Sequence, residues 1–78
     1  MDANQTALAV LVAAFETRQT QLGGAAVMLD AVLEIARLHG YDGSVDRAGS
    51  ILHREGGFLV ERGPSGRLTV RRADLPRP

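Results

Sequence analysis

Apolar residues recur along this chain in two rhythms, helical in its first two thirds and alternating near its end. Leu8, Leu11, Val12 and Phe15 stand at i, i+3, i+4 and i+7, the spacing of one helix face. Val10 and Ala14 lie on a different face and alanines fill the remainder, so the middle of this segment is apolar all round. Such a helix is expected to be covered on two sides. The pattern predicts a first helix with Asn4 as N-cap, running to about Thr20, and makes Leu8, Leu11, Val12 and Phe15 the expected contact with a second subunit. Gln21-Leu22-Gly23-Gly24 breaks the rhythm and reads as a connection. From about Ala25 to Leu38 the residues Met28, Leu29, Val32, Leu33, Ile35 and Ala36 are apolar, while Asp30, Glu34 and Arg37 form a single polar stripe. This is the expected core helix, with His39 near its C-terminus and Gly40 as its stop.

The stretch Asp42–Arg72 organises the rest. Ser44 is placed to cap a third helix by accepting from a free N–H of the first turn, and Asp46 suits the positive end of that helix. Val45, Ala48 and Leu52 make its buried stripe. Arg47, Ser50 and Arg54 repeat the spacing on another face, with His53 beside them. Gly49 in mid-helix costs about 1 kcal/mol relative to alanine. Gly56-Gly57 ends the helix. Phe58–Arg62 and Arg67–Val70, continuing to Arg71, are β-prone. Gly63-Pro64-Ser65-Gly66 between them fits a type I turn, since proline presets φ at its second position. Pairing residue 62 with residue 67 sets Arg62 and Arg67 opposite each other. The expectation is an α+β chain: three helices followed by a two-stranded antiparallel hairpin, one domain over 1–72 and a flexible tail over 73–78.

Composition narrows the setting. The chain has 78 residues and no cysteine, so no disulfide supports it and a cytoplasmic location is expected. A domain of this size buries only about 60% of its unfolded surface, which makes a homodimer a natural route to further stability. All nine cationic side chains are arginine, and nine acids balance them. The balance is uneven along the chain. Residues 1–36 hold four acids and one arginine, net −3, and residues 37–78 hold eight arginines and five acids, net +3. Asp2 stands where a secretory leader would be basic. The longest apolar run, Ala7–Phe15, is less than half of the roughly 20 residues that a membrane helix needs, so no membrane partner is expected.

Little here points to catalysis. There is no thiol nucleophile and no lysine for a Schiff base. His39 and His53 fall on different helices, and Asp30 with Glu34 reads as a solvated face. The glycine pairs lack the lysine and hydroxyl context of a phosphate loop. No catalytic residue, metal site or cofactor is expected. The binding case is stronger. Arg47, Ser50, His53, Arg54, Arg62, Arg67, Arg71 and Arg72 gather on the third helix and the hairpin, and the guanidinium fork suits phosphates, base edges and carboxylates alike.

The order of two helices, a glycine-ended turn, a third helix and a hairpin resembles the winged helix-turn-helix family. The residues that carry the likeness run from Ala36-Arg37-Leu38-His39-Gly40-Tyr41-Asp42-Gly43-Ser44 through Gly56-Gly57-Phe58 to Arg62, within Ala25–Arg72. The resemblance implies that Arg47, Ser50, His53 and Arg54 enter the major groove of double-stranded DNA and that the tip near Arg62 and Arg67 meets its backbone. The zero net charge, with Asp46 and Glu55 near the ends of the third helix, departs from a usual DNA reader. In size and character the chain also resembles small proteins of phages and mobile elements. Among these are anti-CRISPR inhibitors, which imply a host protein or ribonucleoprotein complex as partner. Two functions are therefore expected in turn: a non-enzymatic inhibitor that blocks a nucleic-acid-handling defence complex, and, as the alternative, a DNA-binding transcription regulator.

Overall fold

A computed structural model describes residues 3–24 and 26–73. Its elements are α1 (Ala3–Leu22), β1 (Ala26–Met28), α2 (Leu29–Leu38), α3 (Val45–Arg54), β2 (Phe58–Arg62) and β3 (Leu68–Arg72). Among the described residues the architecture is α+β, with three helices packed against one antiparallel sheet of strand order β1-β3-β2. The expected flexible tail lies, from residue 74 onward, outside the described residues; Ala73 is half-buried.

The stripe on α1 is real, and it faces inward. Leu11 and Phe15 are fully buried at 0% exposure, and Leu8 and Val12 pack against the same core. For Leu11 and Phe15 the expected subunit contact is thus corrected, since their own chain covers them completely; Leu8 and Val12 are half-buried. Periodicity reports that a face is covered, not by which chain. Asn4 is corrected as well. The helix already includes Ala3, and Asn4 sits in its first turn with Oδ1 accepting from Arg47 Nη2 at 3.0 Å. At the other end Gly23 stands at φ +76° and donates its N–H to Gln19 O at 2.7 Å.

The second helix begins at Leu29, not near Ala25, because Ala26–Met28 is a strand. It pairs with β3 as Ala26↔Arg71, Val27↔Val70 and Met28↔Thr69. The expected two-stranded hairpin is therefore the larger part of a three-stranded sheet. Three residues are too few to show a period of two, and Ala-Val-Met-Leu is as good a helix opening as a strand. Met28 holds extended dihedrals (φ −64°, ψ 133°) directly before α2, so the chain passes from strand to helix with no loop. Val27, 1% exposed, delivers its side chain to the core against Val70.

The ends of α2 and α3 follow local chemistry closely. Tyr41 N–H donates to Ala36 O at 3.1 Å and Gly40 N–H to Arg37 O at 3.3 Å, the paired bonds of a Schellman stop, with Gly40 at φ +101°. Ser44 caps α3, its hydroxyl accepting from Arg47 N–H at 3.1 Å. Gly57, at φ +70°, turns the chain into β2.

The hairpin register differs by one residue from the expected pairing. Arg62 lies opposite Leu68, Glu61 opposite Thr69, Val60 opposite Val70, and Phe58 opposite Arg72. The cause is at the tip. Gly66 N–H donates to Gly63 O at 2.9 Å, which closes the turn begun by Pro64, but Gly66 also takes φ +84°, and Gly63 N–H then donates to Arg67 O at 2.7 Å. This is a three-residue loop with a left-handed glycine forming a bulge, and the extra residue moves every partner by one. The shift decides the faces. Phe58, Val60, Leu68 and Val70 now point together toward the helices, where Phe58 and Val70 are buried. Leu59, Glu61, Thr69 and Arg71 share the outer face.

Leu11, Phe15, Val27, Leu29, Val32, Leu52 and Val70 are the largest fully buried side chains, and no polar or charged residue among those described is buried with them. Burying a side chain of this kind stabilises by about 1.5–3 kcal/mol. The rings of Phe15 and Phe58 meet edge to face at 5.0 Å and 72°, joining α1 to β2.

Candidate functional site

Helix α3 divides cleanly by face. Ala48, Gly49, Ile51 and Leu52 are buried, while Asp46, Arg47, Ser50, His53 and Arg54 are exposed. The division follows from the inward stripe and the Ser44 cap, which together fix how far the helix is rotated. Arg47, Ser50 and Arg54 border one shallow hollow of about 330 Å³ with Asn4, Ile51 and Glu55. From Arg47 to Arg54 the helix advances about 10 Å at about 1.5 Å per residue, close to three base-pair steps of duplex DNA at about 3.4 Å each.

Two side chains on this face are oriented by neighbours. Arg47 is held by Asn4 of α1, as described above. His53 Nδ1 lies 3.1 Å from Phe58 O. A carbonyl oxygen only accepts, so Nδ1 carries the hydrogen of this contact, and the ring is tied to the first residue of β2. Arg47 presents a donor fork on the same helix surface.

The hairpin arginines separate into three environments. Arg67 is exposed at the tip. Arg62 donates through Nη1 to Gly66 O at 2.9 Å, which folds it back along the loop. The expected opposition of Arg62 and Arg67 is corrected, since Arg62 faces Leu68. On the outer sheet face, Arg71 pairs with Glu61 through Nε and Oε1 at 3.3 Å. Arg72 belongs to the inner face. Its guanidinium lies 5.2 Å from the centroid of Phe58 and 5.7 Å from that of Phe15, and it pairs with Glu16 of α1. Of the eight residues expected to bind a partner, the fold gathers Arg47, Ser50, His53 and Arg54 on α3, sets Arg62 and Arg67 at the tip, and engages Arg71 and Arg72 in its own packing.

A second hollow, about 630 Å³, opens between the start of α1 and the turn joining α2 to α3. Thr6, His39, Tyr41, Asp42 and Arg47 are on its walls. Sequence reasoning did not find it, because Thr6 and Tyr41 meet only through tertiary packing. Tyr41 is 7% exposed. Burial raises its phenol pKa above the usual 10.0; the positive charges of Arg47 and Arg37 oppose the rise and the carboxylate of Asp42 adds to it. Asn4 was also missed, since nothing local links it to Arg47.

Among the described residues no group of three or more His, Asp or Glu side chains could hold a metal ion, and no helix is long and apolar enough to cross a membrane. No protein-family model matches the chain, and no curated protein or solved structure matches it.

Proposed function

We propose that this chain is a winged-helix domain that binds duplex DNA, with α3 in the major groove and the β2–β3 tip against the neighbouring backbone. One observation carries the reading. The polar side chains Arg47, Ser50, His53 and Arg54 take no part in the core and share the outer face of a single capped helix. The order α1-β1-α2-α3-β2-β3 with sheet order β1-β3-β2 supports it, because that succession sets a hairpin beside the third helix, as in winged helix-turn-helix domains. Arginine donors match guanine O6 and N7.

Binding of mixed-sequence duplex DNA, followed by fluorescence anisotropy across a salt series, tests this. On mixed-sequence DNA, where no base contact is fixed, Arg47, Arg54, Arg62 and Arg67 each meet a phosphate, which gives a log–log slope of about −3 to −4. Absence of binding at the lowest salt overturns the reading.

A second reading, an anti-CRISPR-like inhibitor that binds a nucleic-acid-handling defence complex, rests on a different observation. The same surface carries Asp46 and Glu55 among its arginines, and the whole chain has no net charge. Mixed charge suits a protein partner better than a polyanion. Recovery of a stoichiometric complex with such an assembly, by a chain that ignores DNA, is the result expected of it.

A further inference from the structure

The outer face of α3 carries two long cations, Arg47 and Arg54, and the fold treats them differently. Arg54 is exposed and has no side-chain tether among the described residues. Arg47 is exposed as well, but its Nη2 donates to Asn4 Oδ1 of α1 at 3.0 Å. Asn4 is placed by the core. It precedes Leu8, Leu11 and Phe15 by four, seven and eleven residues, so it prolongs their inward stripe to the first turn of α1. The residue is accordingly half-buried against α3. Its neighbour Gln5 reaches Glu55 Oε1 with Nε2 at 3.5 Å, so this one turn of α1 touches α3 near both of its ends. Arg47 stays on the wall of the hollow that it shares with Ser50 and Arg54. Each terminal guanidinium nitrogen carries two hydrogens, so the bond to Asn4 leaves Nη1 and the second hydrogen of Nη2 for a partner.

We propose that Asn4 is a positioning residue, through which α1 makes Arg47 the base reader of α3, with guanine as its partner, and leaves Arg54 to phosphate. This rests on the DNA-binding reading above. A phosphate accepts a cation from many directions, so an untethered arginine neutralises it well, whereas a base edge requires the fork in one plane. A guanidinium already held in place loses less side-chain freedom on reaching guanine O6 and N7. The charge of Arg47 does not depend on Asn4, but its direction does. Asn4 therefore acts on sequence preference and not on salt dependence.

Selection from a randomised duplex pool by the parent chain, Arg47→Ala, Asn4→Ala and Asn4→Asp tests this, followed by anisotropy on the selected duplex and its single-base replacements. At one position the parent prefers guanine over adenine by about 5- to 150-fold, and Arg47→Ala abolishes that preference. Asn4→Ala reduces it by about 2- to 10-fold. The same variant keeps the parent's preferences at the other positions and its salt slope on mixed-sequence DNA. Asn4→Asp keeps an acceptor oxygen in the same place and retains the guanine preference, which separates positioning from a general loosening of α1. Sequence-blind binding by the parent overturns the proposal. So does a guanine preference that survives Arg47→Ala, or one that Asn4→Ala leaves at full strength. These three results leave DNA binding itself standing. A parent chain that binds no duplex at the lowest salt overturns the DNA-binding reading, and this proposal with it.

Discussion

The hydroxyl of Tyr41 donates to the carbonyl oxygen of Ser44 across 2.9 Å. Tyr41 closes the stop of α2, and Ser44 caps the start of α3, so one bond ties the end of one helix to the beginning of the next. A Cβ on Gly43 would collide with the end of the Tyr41 ring, so a larger residue there would displace the phenol.

Replacing this phenol by phenylalanine is expected to cost about 1 kcal/mol, at the lower end for a buried hydroxyl. The Ser44 carbonyl keeps its second partner, the N–H of Ala48 at 3.0 Å. The pH dependence is more distinctive. The chain has one tyrosine, no cysteine and no lysine, so Tyr41 alone among its side chains titrates between neutrality and the arginine range. Its folded pKa is raised, which means the unfolded chain releases this proton first. Stability contributed by the neutral phenol is complete below the unfolded value near 10 and falls as pH climbs through the folded value. Thermal unfolding between pH 8 and 11, with Tyr41→Phe alongside, should show a decline in the parent chain that the variant lacks.

Gly49 offers a gain. It is buried in the middle of α3, yet a Cβ there would meet only Leu29 Cδ2 and Val60 Cγ1, both at 3.6 Å. That is ordinary van der Waals contact. Gly49→Ala should therefore recover most of the helix-propensity difference, up to about 1 kcal/mol. A urea midpoint shifted upward with an unchanged slope is the expected observation.

Gly56 and Gly57 are neighbours with different reasons to be glycine. A Cβ on Gly56 would stand 2.9 Å from Phe58 Cδ1, 3.0 Å from Leu52 O and 3.0 Å from Leu8 Cδ1. Gly57 has open space around it but φ +70°. Gly57→Ala should cost about 1–2 kcal/mol of backbone strain. Gly56→Ala should cost about 1–3 kcal/mol by overpacking, and it should loosen the contact between α1 and β2. Denaturation of the two variants separates the causes if Leu8→Ala partly rescues Gly56→Ala and leaves Gly57→Ala unaffected.

Arg72 and Arg54 allow stability and binding to be separated. Arg72→Ala removes the guanidinium from above Phe15 and Phe58 and from Glu16. It should lower stability by about 1 kcal/mol, since both contacts are partly exposed, and leave the salt slope of the proposed DNA binding unchanged. Arg54→Ala should leave the melting temperature within about 2 °C, as a surface change, and reduce the slope by about one phosphate. Calorimetry and anisotropy on the same two variants give both readouts.

The parts of the fold legible in the sequence are those written by neighbours in the chain. Ser44, Gly40 and Gly57 act on groups within one helical turn, and so the limits of α3 and the end of α2 could be read directly. The outer face of α3 was legible for the same reason, because its inward stripe fixes what is left outside. What escaped depends on distant partners. Ala26–Met28 is a strand only because β3 offers it an edge. The hairpin register turned on whether Gly66 would adopt a left-handed conformation, which composition permits but does not require. Arg72 reads as one more cation until Phe15, Phe58 and Glu16 surround it. The α1 stripe was legible as a covered face, but not that Leu11 and Phe15 are covered by their own chain, where Phe15 meets Phe58.

The strand order β1-β3-β2 also bears on how the chain comes together in time. The middle strand of the sheet is the last to be synthesised. Val27 has no partner until Val70 emerges, and Phe58 and Val60 have no opposite strand until the chain has rounded Pro64. The helices can form as they leave the ribosome, from contacts close in sequence, but the sheet closes in one late event that joins both edges to β3. A chain halted before Leu68 would hold its helices over an open apolar floor, and for that interval it would be the natural substrate of chaperones and proteases.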